Sequence, residues 1–356
     1  MKRKFNINSL IRENIKSLKP YSSARDEYID TSTAEMIFLD ANENPFENGV
    51  NRYPDPQQNK VKDCLSEIRN IDKKNILLGN GSDEVLDLIF RAFCEPNKDN
   101  VITLPPTYGM YSVLANVNAI ENRTVLLNDR FQPDVHQILE AVDKNSKILF
   151  LCSPNNPTGN TFAIEKVELL LSKFNGLVVL DEAYIDFSDK ESWLKRLKEF
   201  PNLIITQTLS KAFGLAGIRL GVCYASKEII TVLNNIKPPY NVNELTQQRA
   251  INRLQKMDEI KNEIAQLISE RKRLKQALEC CVSFIETVYQ SDGNFLLIKV
   301  DDATKRYQQL IEYGVVVRNR TTQPLCENCL RISVGVCEEN QRLIAALKFG
   351  ESLKRV

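Results

Sequence analysis

Short apolar runs recur through the middle of the chain at Val101–Leu104, Ile148–Cys152, Leu177–Leu180, Leu203–Ile205 and Ile218–Tyr224, each bounded by turn-forming residues. Between them lie longer stretches with helical spacing. Val85, Leu86, Leu88, Ile89 and Phe90 line one, and Val167, Leu169, Leu170 and Leu171 line another. Strands that are apolar on both faces, alternating with helices, predict an α/β unit with a mostly parallel central sheet covered by helices. That character runs from about residue 45 to 240. Lys237-Pro238-Pro239-Tyr240 breaks the pattern there and marks a boundary. A long charged helical stretch follows over about 243–280. A smaller α+β unit then predicts strands near Asn294–Val300, Val315–Arg318 and Leu330–Val334. The expected division is an N-terminal arm (1–44) that joins the small domain and a dimer partner, a large domain (45–242) and a small C-terminal domain (243–356).

The length, 356 residues, sits near the upper limit for one core and agrees with two packed units. Lys+Arg is 47 against Asp+Glu 46, so no basic stripe points to nucleic acid or a charged membrane surface. Glu270-Arg271-Lys272-Arg273 reads as the wet face of a helix. The opening Met1-Lys2-Arg3-Lys4 is followed by polar residues, not by the apolar core of a signal peptide. No run reaches the ~18 apolar residues of a membrane span. Nine cysteines in such a chain are not a disulfide framework, and the reading is a cytoplasmic protein with reduced thiols. Cys326-Glu327-Asn328-Cys329 has the spacing of half a zinc site or a redox pair, but the single histidine, His136, is distant, so no metal is expected. With one histidine, placed on an exposed helix face, acid–base work falls to Lys, Tyr, Asp, Glu or a cofactor.

Four polar segments sit where ligands collect in open α/β sheets, beyond the carboxyl ends of the strands. A fully apolar strand stops at Asp181 in Asp181-Glu182-Ala183-Tyr184; a carboxylate there is poorly solvated and calls for a cation. Ser153-Pro154-Asn155-Asn156-Pro157-Thr158-Gly159 presents amide side chains on a loop fixed by prolines and a glycine. Lys211, in Ser210-Lys211-Ala212-Phe213-Gly214, has surroundings that suit a depressed pKa and nucleophilic use. Gly79-Asn80-Gly81-Ser82-Asp83-Glu84 is a tight turn feeding a helix, suited to a phosphate, although it is not a P-loop. Each segment alone is weak: a glycine turn is usually only a turn, and an Asp after a strand is often only a cap.

In this order they become specific. Together with Leu39-Asp40-Ala41-Asn42-Glu43-Asn44-Pro45, Asn51-Arg52-Tyr53-Pro54, Pro105-Pro106-Thr107-Tyr108-Gly109-Met110-Tyr111 and Leu330-Arg331-Ile332-Ser333-Val334-Gly335, the chain resembles the fold-type I, class I/II aminotransferases that use pyridoxal 5'-phosphate. Within them it is most similar to the histidinol-phosphate aminotransferases, over nearly its whole length. The resemblance implies that Lys211 tethers the cofactor covalently and shuttles a proton at the substrate carbon. Asp181 then pairs with the ring nitrogen, a contact worth on the order of 4 kcal/mol at ~4 Å and an effective dielectric of about 20. Asn156 and Tyr184 bond the ring hydroxyl and Tyr108 stacks on the ring. Gly81, Ser82, Asp83, Ser210 and Arg219 form the phosphate site, with Arg219 its permanent cation. Tyr53 reaches the site of the partner subunit, which makes a homodimer part of the expectation. Arg331 is the anion-binding arginine for phosphate and carboxylate substrates. Tyr21, Asn42 and Arg318, with Tyr53, Tyr108 and Asn156, fall in blocks that contact substrate.

The implied reaction is ping-pong amino transfer between L-histidinol phosphate with imidazole-acetol phosphate and glutamate with 2-oxoglutarate, a step of histidine biosynthesis. The rivals within the same fold are an aromatic amino-acid aminotransferase and a threonine-phosphate decarboxylase. A non-catalytic regulatory module would lack the lysine or carry a DNA-binding unit, and neither applies here. No motif is distinctive for recognition of an imidazole ring.

Overall fold

The structure, a computed structural model, describes residues 5–19, 21 and 36–352. Its larger sheet has seven strands: β1 (Ile76–Asn80), β2 (Asn100–Thr103), β3 (Glu121–Thr124), β4 (Ser146–Cys152), β5 (Leu177–Asp181), β6 (Leu203–Thr208) and β7 (Leu220–Tyr224). They lie in the order β1-β7-β6-β5-β4-β2-β3. All run parallel except β7, which is antiparallel to both neighbours. The cause is the short link from Leu209 to Arg219. It is too short for the helical crossover that a parallel return requires, so β7 comes back beside β6 in the opposite sense.

The apolar strands are buried on both faces. Ile148, Phe150, Leu177, Val179 and Ile204 pack with one layer of helices, whereas Leu149, Leu151, Val178, Leu180, Leu203 and Ile205 pack with the other. That period-2 division between two cores explains why the runs read as continuously hydrophobic. The first layer contains the helices Gly81–Phe93 and Lys227–Ile236, against which Leu10 of the N-terminal segment also packs.

Beyond β7 the predicted long helix is two, Glu244–Leu254 and Met257–Cys281, broken at Gln255-Lys256. A second sheet follows, with β8 (Ile285–Val288), β9 (Phe295–Val300), β10 (Arg318–Asn319) and β11 (Cys329–Ser333) in the antiparallel order β10-β11-β9-β8. One of its faces, with Leu296, Ile298, Leu330 and Ile332, joins its own core with Leu343 and Leu347 from helix Cys337–Ser352. The other, with Phe295, Leu297 and Cys329, packs into the core of the large sheet.

Two expectations change. Arg271 is not part of a wet face: its guanidinium turns inward and donates to the carbonyls of Phe187 at 3.3 Å and Gly293 at 2.6 Å. Strands β1, β3 and β8 are additional to those expected from the sequence, and the strand expected over Val315–Arg318 is only the pair Arg318–Asn319. His136 does lie on an exposed helix face, 3.4 Å from Glu140. Among the described residues no helix is long and apolar enough to cross a membrane.

Candidate active site

Strands β4, β5 and β6 end side by side, with Cys152 opposite Asp181 and Asp181 opposite Thr206. The β6–β7 link, which carries Lys211, leaves from the same edge. Asn80 at the end of β1 pairs with Leu220 at the start of β7, so the Gly81 turn arrives there too. The topology therefore gathers four sequence-distant segments into one cleft. It is lined by nine residues singled out in the sequence: Ser82, Asp83, Tyr108, Asn156, Asp181, Tyr184, Ser210, Lys211 and Arg219.

At the deep end Asp181 is buried, accepting from the Tyr111 hydroxyl at 2.8 Å and the Ala183 N–H at 3.1 Å. Burial pushes its carboxyl above the ordinary range, while those two hydrogen bonds oppose the shift. Among the described residues no basic side chain forms an ion pair with it. A buried carboxylate without a cation is unfavourable, so this position calls for a cationic partner.

Tyr111 is fully buried and stacks on Phe150, with ring centres 4.8 Å apart. In the sequence it closes the block Pro105-Pro106-Thr107-Tyr108-Gly109-Met110-Tyr111. Its polar end on an otherwise apolar helix face was the available signal.

At the opposite end the helix Gly81–Phe93 begins without a side-chain cap, so the N–H groups of Ser82 and Asp83 are open to an anion. Two glycines allow this turn. Gly81 has φ +75°, and a Cβ on it would lie 2.7 Å from Nη2 of Arg219; a Cβ on Gly221 would lie 2.3 Å from the Gly81 carbonyl carbon and the Ser82 nitrogen. The Gly81 N–H donates to the Arg219 carbonyl at 2.9 Å, which fixes Arg219 beside the turn in the left-handed region at φ 55°. Asp83 accepts from the Tyr108 hydroxyl at 3.0 Å and lies 3.7 Å from the Arg219 guanidinium. Its carboxylate thus braces the cation and the tyrosine, and what it offers an anion is its backbone N–H. Ser210 completes this end, its N–H donating to Thr208 Oγ1 at 3.1 Å.

Lys211 lies between the two ends, its Nζ 5.8 Å from the centre of the Tyr184 ring. Burial lowers the pKa of its ammonium below the usual lysine value, and the Arg331 and Arg219 guanidiniums lower it further against Asp181 and Asp83. The amine is thereby more available as a base near neutral pH. Burial also keeps the Tyr184 hydroxyl protonated. The loop expected to be rigid is held by Asn155, which is fully buried and donates to the Pro106 carbonyl at 2.9 Å and Thr158 Oγ1 at 2.7 Å. Its neighbour Asn156 faces the cleft and accepts from the Arg331 guanidinium. Arg331 comes from the second sheet, its guanidinium carbon 5.4 Å from the Phe295 ring, which meets Tyr184 edge-on.

The remaining sequence candidates lie elsewhere. Tyr53 stacks on Tyr240 at 4.5 Å and shares a separate depression with Asn42. Tyr21 is exposed. Arg318 is exposed but stands directly opposite Arg331 in the β10–β11 pair. Cys326 and Cys329 are buried free thiols.

The ends of the cleft fit pyridoxal phosphate: a buried carboxylate for the ring nitrogen, an amine for its aldehyde carbon, and a helix N-terminus with an arginine for its phosphate. Comparison with known proteins agrees. The chain is 70% identical over 346 residues to a Flavobacterium johnsoniae protein named histidinol-phosphate aminotransferase, covering 97% of this chain and 99% of that one. A protein of the same name from Christiangramia forsetii is 65% identical over 345 residues, covering 97% and 98%. The solved histidinol-phosphate aminotransferase of Sinorhizobium meliloti, in complex with pyridoxal-5'-phosphate, superposes with a TM-score of 0.78 at 26% identity, covering 85% of this chain and 83% of that one. The model for aminotransferase class I and II matches residues 32–347, and the chain belongs to that family.

Proposed function

We propose that this protein is a pyridoxal-phosphate-dependent histidinol-phosphate aminotransferase. It moves an amino group between L-histidinol phosphate with imidazole-acetol phosphate and glutamate with 2-oxoglutarate. The observation that carries the reading is the convergence of Asp181, Lys211 and Arg219 on one cleft. The names of the relatives at 70% and 65% identity support the substrate over an aromatic amino acid or threonine phosphate.

When bound, the cofactor supplies an electron-poor ring that accepts the negative charge developing at the substrate carbon. The protein's own groups do the rest. Asp181 holds a proton on the ring nitrogen, and the buried Tyr111 hydroxyl holds Asp181 in place. Arg219, Ser210 and the N–H groups of Ser82 and Asp83 grip the phosphate. Asn156 and Tyr184 orient the ring hydroxyl, and Tyr108 covers the ring face. Lys211 would tether the cofactor through its aldehyde carbon and, once freed as an amine, would be the base that takes the proton from the substrate carbon. Arg331, with Asn156 and Arg318, binds the anionic end of either substrate.

The active unit is read as a homodimer with an N-terminal arm (1–44) joining the small domain and the partner, a large cofactor-binding domain (45–242) and a small C-terminal domain (243–356), of which 1–4, 20, 22–35 and 353–356 lie outside the described residues. Ile37, Leu39 and Phe46 are 84, 86 and 79% exposed. An apolar strip of this kind near Tyr53 and Asn42 suits a partner's surface and carries both residues toward the partner's cleft. Tyr21 is read as a further substrate contact. Free cysteines suit the cytoplasm.

The test is steady-state turnover of histidinol phosphate, phenylalanine and threonine phosphate with 2-oxoglutarate as acceptor. The highest kcat/KM is expected for histidinol phosphate. A higher value for phenylalanine, or carbon dioxide release from threonine phosphate, would replace this reading with the corresponding rival.

A further inference from the structure

Arg318 stands directly across from Arg331 in the β10–β11 ladder, so both side chains leave the same face of the sheet. The ladder does not stop at Asn319. The Arg320 N–H donates to the Cys329 carbonyl at 2.8 Å, which continues the pairing one step further. Side chains two apart share a face, so Arg320 joins Arg318, and it lies diagonal to Arg331 across the strands. The face is the one that looks toward the large sheet: Leu297, opposite Arg331, and Cys329 both belong to the core they share with it.

Three guanidiniums therefore crowd one patch beside the cleft, and among the described residues none of them forms an ion pair with a carboxylate. Arg320 is half-buried, and its Nε is buried without a hydrogen-bond partner among the described residues. Thr321 Oγ1 and Gln323 Oε1 in the same loop are in the same condition. Such groups are stabilised only when something bonds them. One carboxylate offsets one of these cations; a phosphate monoester carries close to two negative charges at neutral pH, with three acceptor oxygens.

We propose that Arg320 is a third cation of the substrate anion site and matches that site to a dianionic phosphate ester rather than to a carboxylate. This rests on the proposed reading of the cleft and sharpens its substrate class. Arg331, already bonded to Asn156, serves both substrates, whereas Arg320 serves the phosphate.

The test uses the holoenzyme with Arg320→Gln and Arg320→Lys. Arg320→Gln is expected to lower kcat/KM for histidinol phosphate about tenfold to a hundredfold, the loss of one or two charge-assisted hydrogen bonds. The loss should fall in KM, with kcat nearly unchanged and the glutamate half-reaction within about twofold of wild type. Inhibition of the glutamate half-reaction by inorganic phosphate should weaken in parallel, and Arg320→Lys should recover part of both losses. Equal losses with both substrates, or no loss with either, would overturn the role. A wild-type enzyme that ignores histidinol phosphate would defeat the proposed function instead. The phosphate inhibition would still decide on Arg320: weakened by Arg320→Gln it supports the site, unchanged it refutes it.

Discussion

The Tyr111 hydroxyl donates to Asp181 at 2.8 Å in a place where both side chains are out of contact with water. This hydrogen bond fixes the carboxylate that the proposed function pairs with the cofactor ring. Tyr111→Phe removes it and preserves the stack on Phe150. Loss of one hydrogen bond to a charged group is worth about 1.5–3 kcal/mol. Cofactor affinity, measured by absorbance titration of the apoenzyme, should fall roughly tenfold to a hundredfold while the melting temperature changes little. An unchanged affinity would mean that Asp181 does not depend on this tyrosine.

Gly221→Ala drives a methyl group into the backbone of the Gly81–Ser82 turn, 2.3 Å from two of its atoms. Backbone cannot move aside as the tip of a side chain can. A destabilisation of about 1–3 kcal/mol is expected, seen as a lower melting temperature, together with weaker retention of the cofactor phosphate. Gly217→Ala is the control. A Cβ there meets nothing within 4 Å, and it should behave as wild type.

The pKa of Lys211 is lowered first by burial and next by Arg331. Removing that cation in Arg331→Gln should raise it, so the free-amine form is reached only at higher pH. The expected result is a pH profile of Lys211 acylation in the apoenzyme, counted by mass spectrometry, that is displaced upward in the variant. A profile displaced downward would contradict the electrostatic coupling.

The position of Tyr53 outside its own chain's cleft makes a distinctive prediction for mixed dimers. A dimer of one Lys211→Ala and one Tyr53→Ala subunit places both defects in one site and leaves the other intact if Tyr53 acts across the interface. If the chain forms the proposed homodimer, each mixed dimer should carry about half of wild-type activity, and random exchange of equal amounts of the two variants should restore about a quarter overall, by the symmetry of a twofold interface. No recovery would place Tyr53 in the service of its own subunit.

What the sequence made legible follows from how each residue is used. β4, β5 and β6 are apolar on both faces and could be recognised directly. Asp181 stood out because a carboxylate ends such a strand. β1 was hidden because its end, Gly79-Asn80, carries turn residues; β3 and β8 were hidden because they are partly exposed and polar. Arg271 was misread because its charge lies on a helix whose other faces are wet. Arg320 could not be placed from the sequence: its meaning depends on a register with β11 that local pattern does not encode. Cys152 reaches the cleft from a strand whose remaining residues are core, so nothing nearby distinguished it.

The most direct measurement is reduction of the holoenzyme with borohydride, followed by proteolysis and mass mapping of the residue that retains the reduced cofactor. The modified peptide should be the one containing Ser210-Lys211-Ala212, with the added mass on Lys211. A reduced cofactor fixed to any other lysine, or lost entirely from the protein, would contradict the assignment on which the chemistry of this cleft depends.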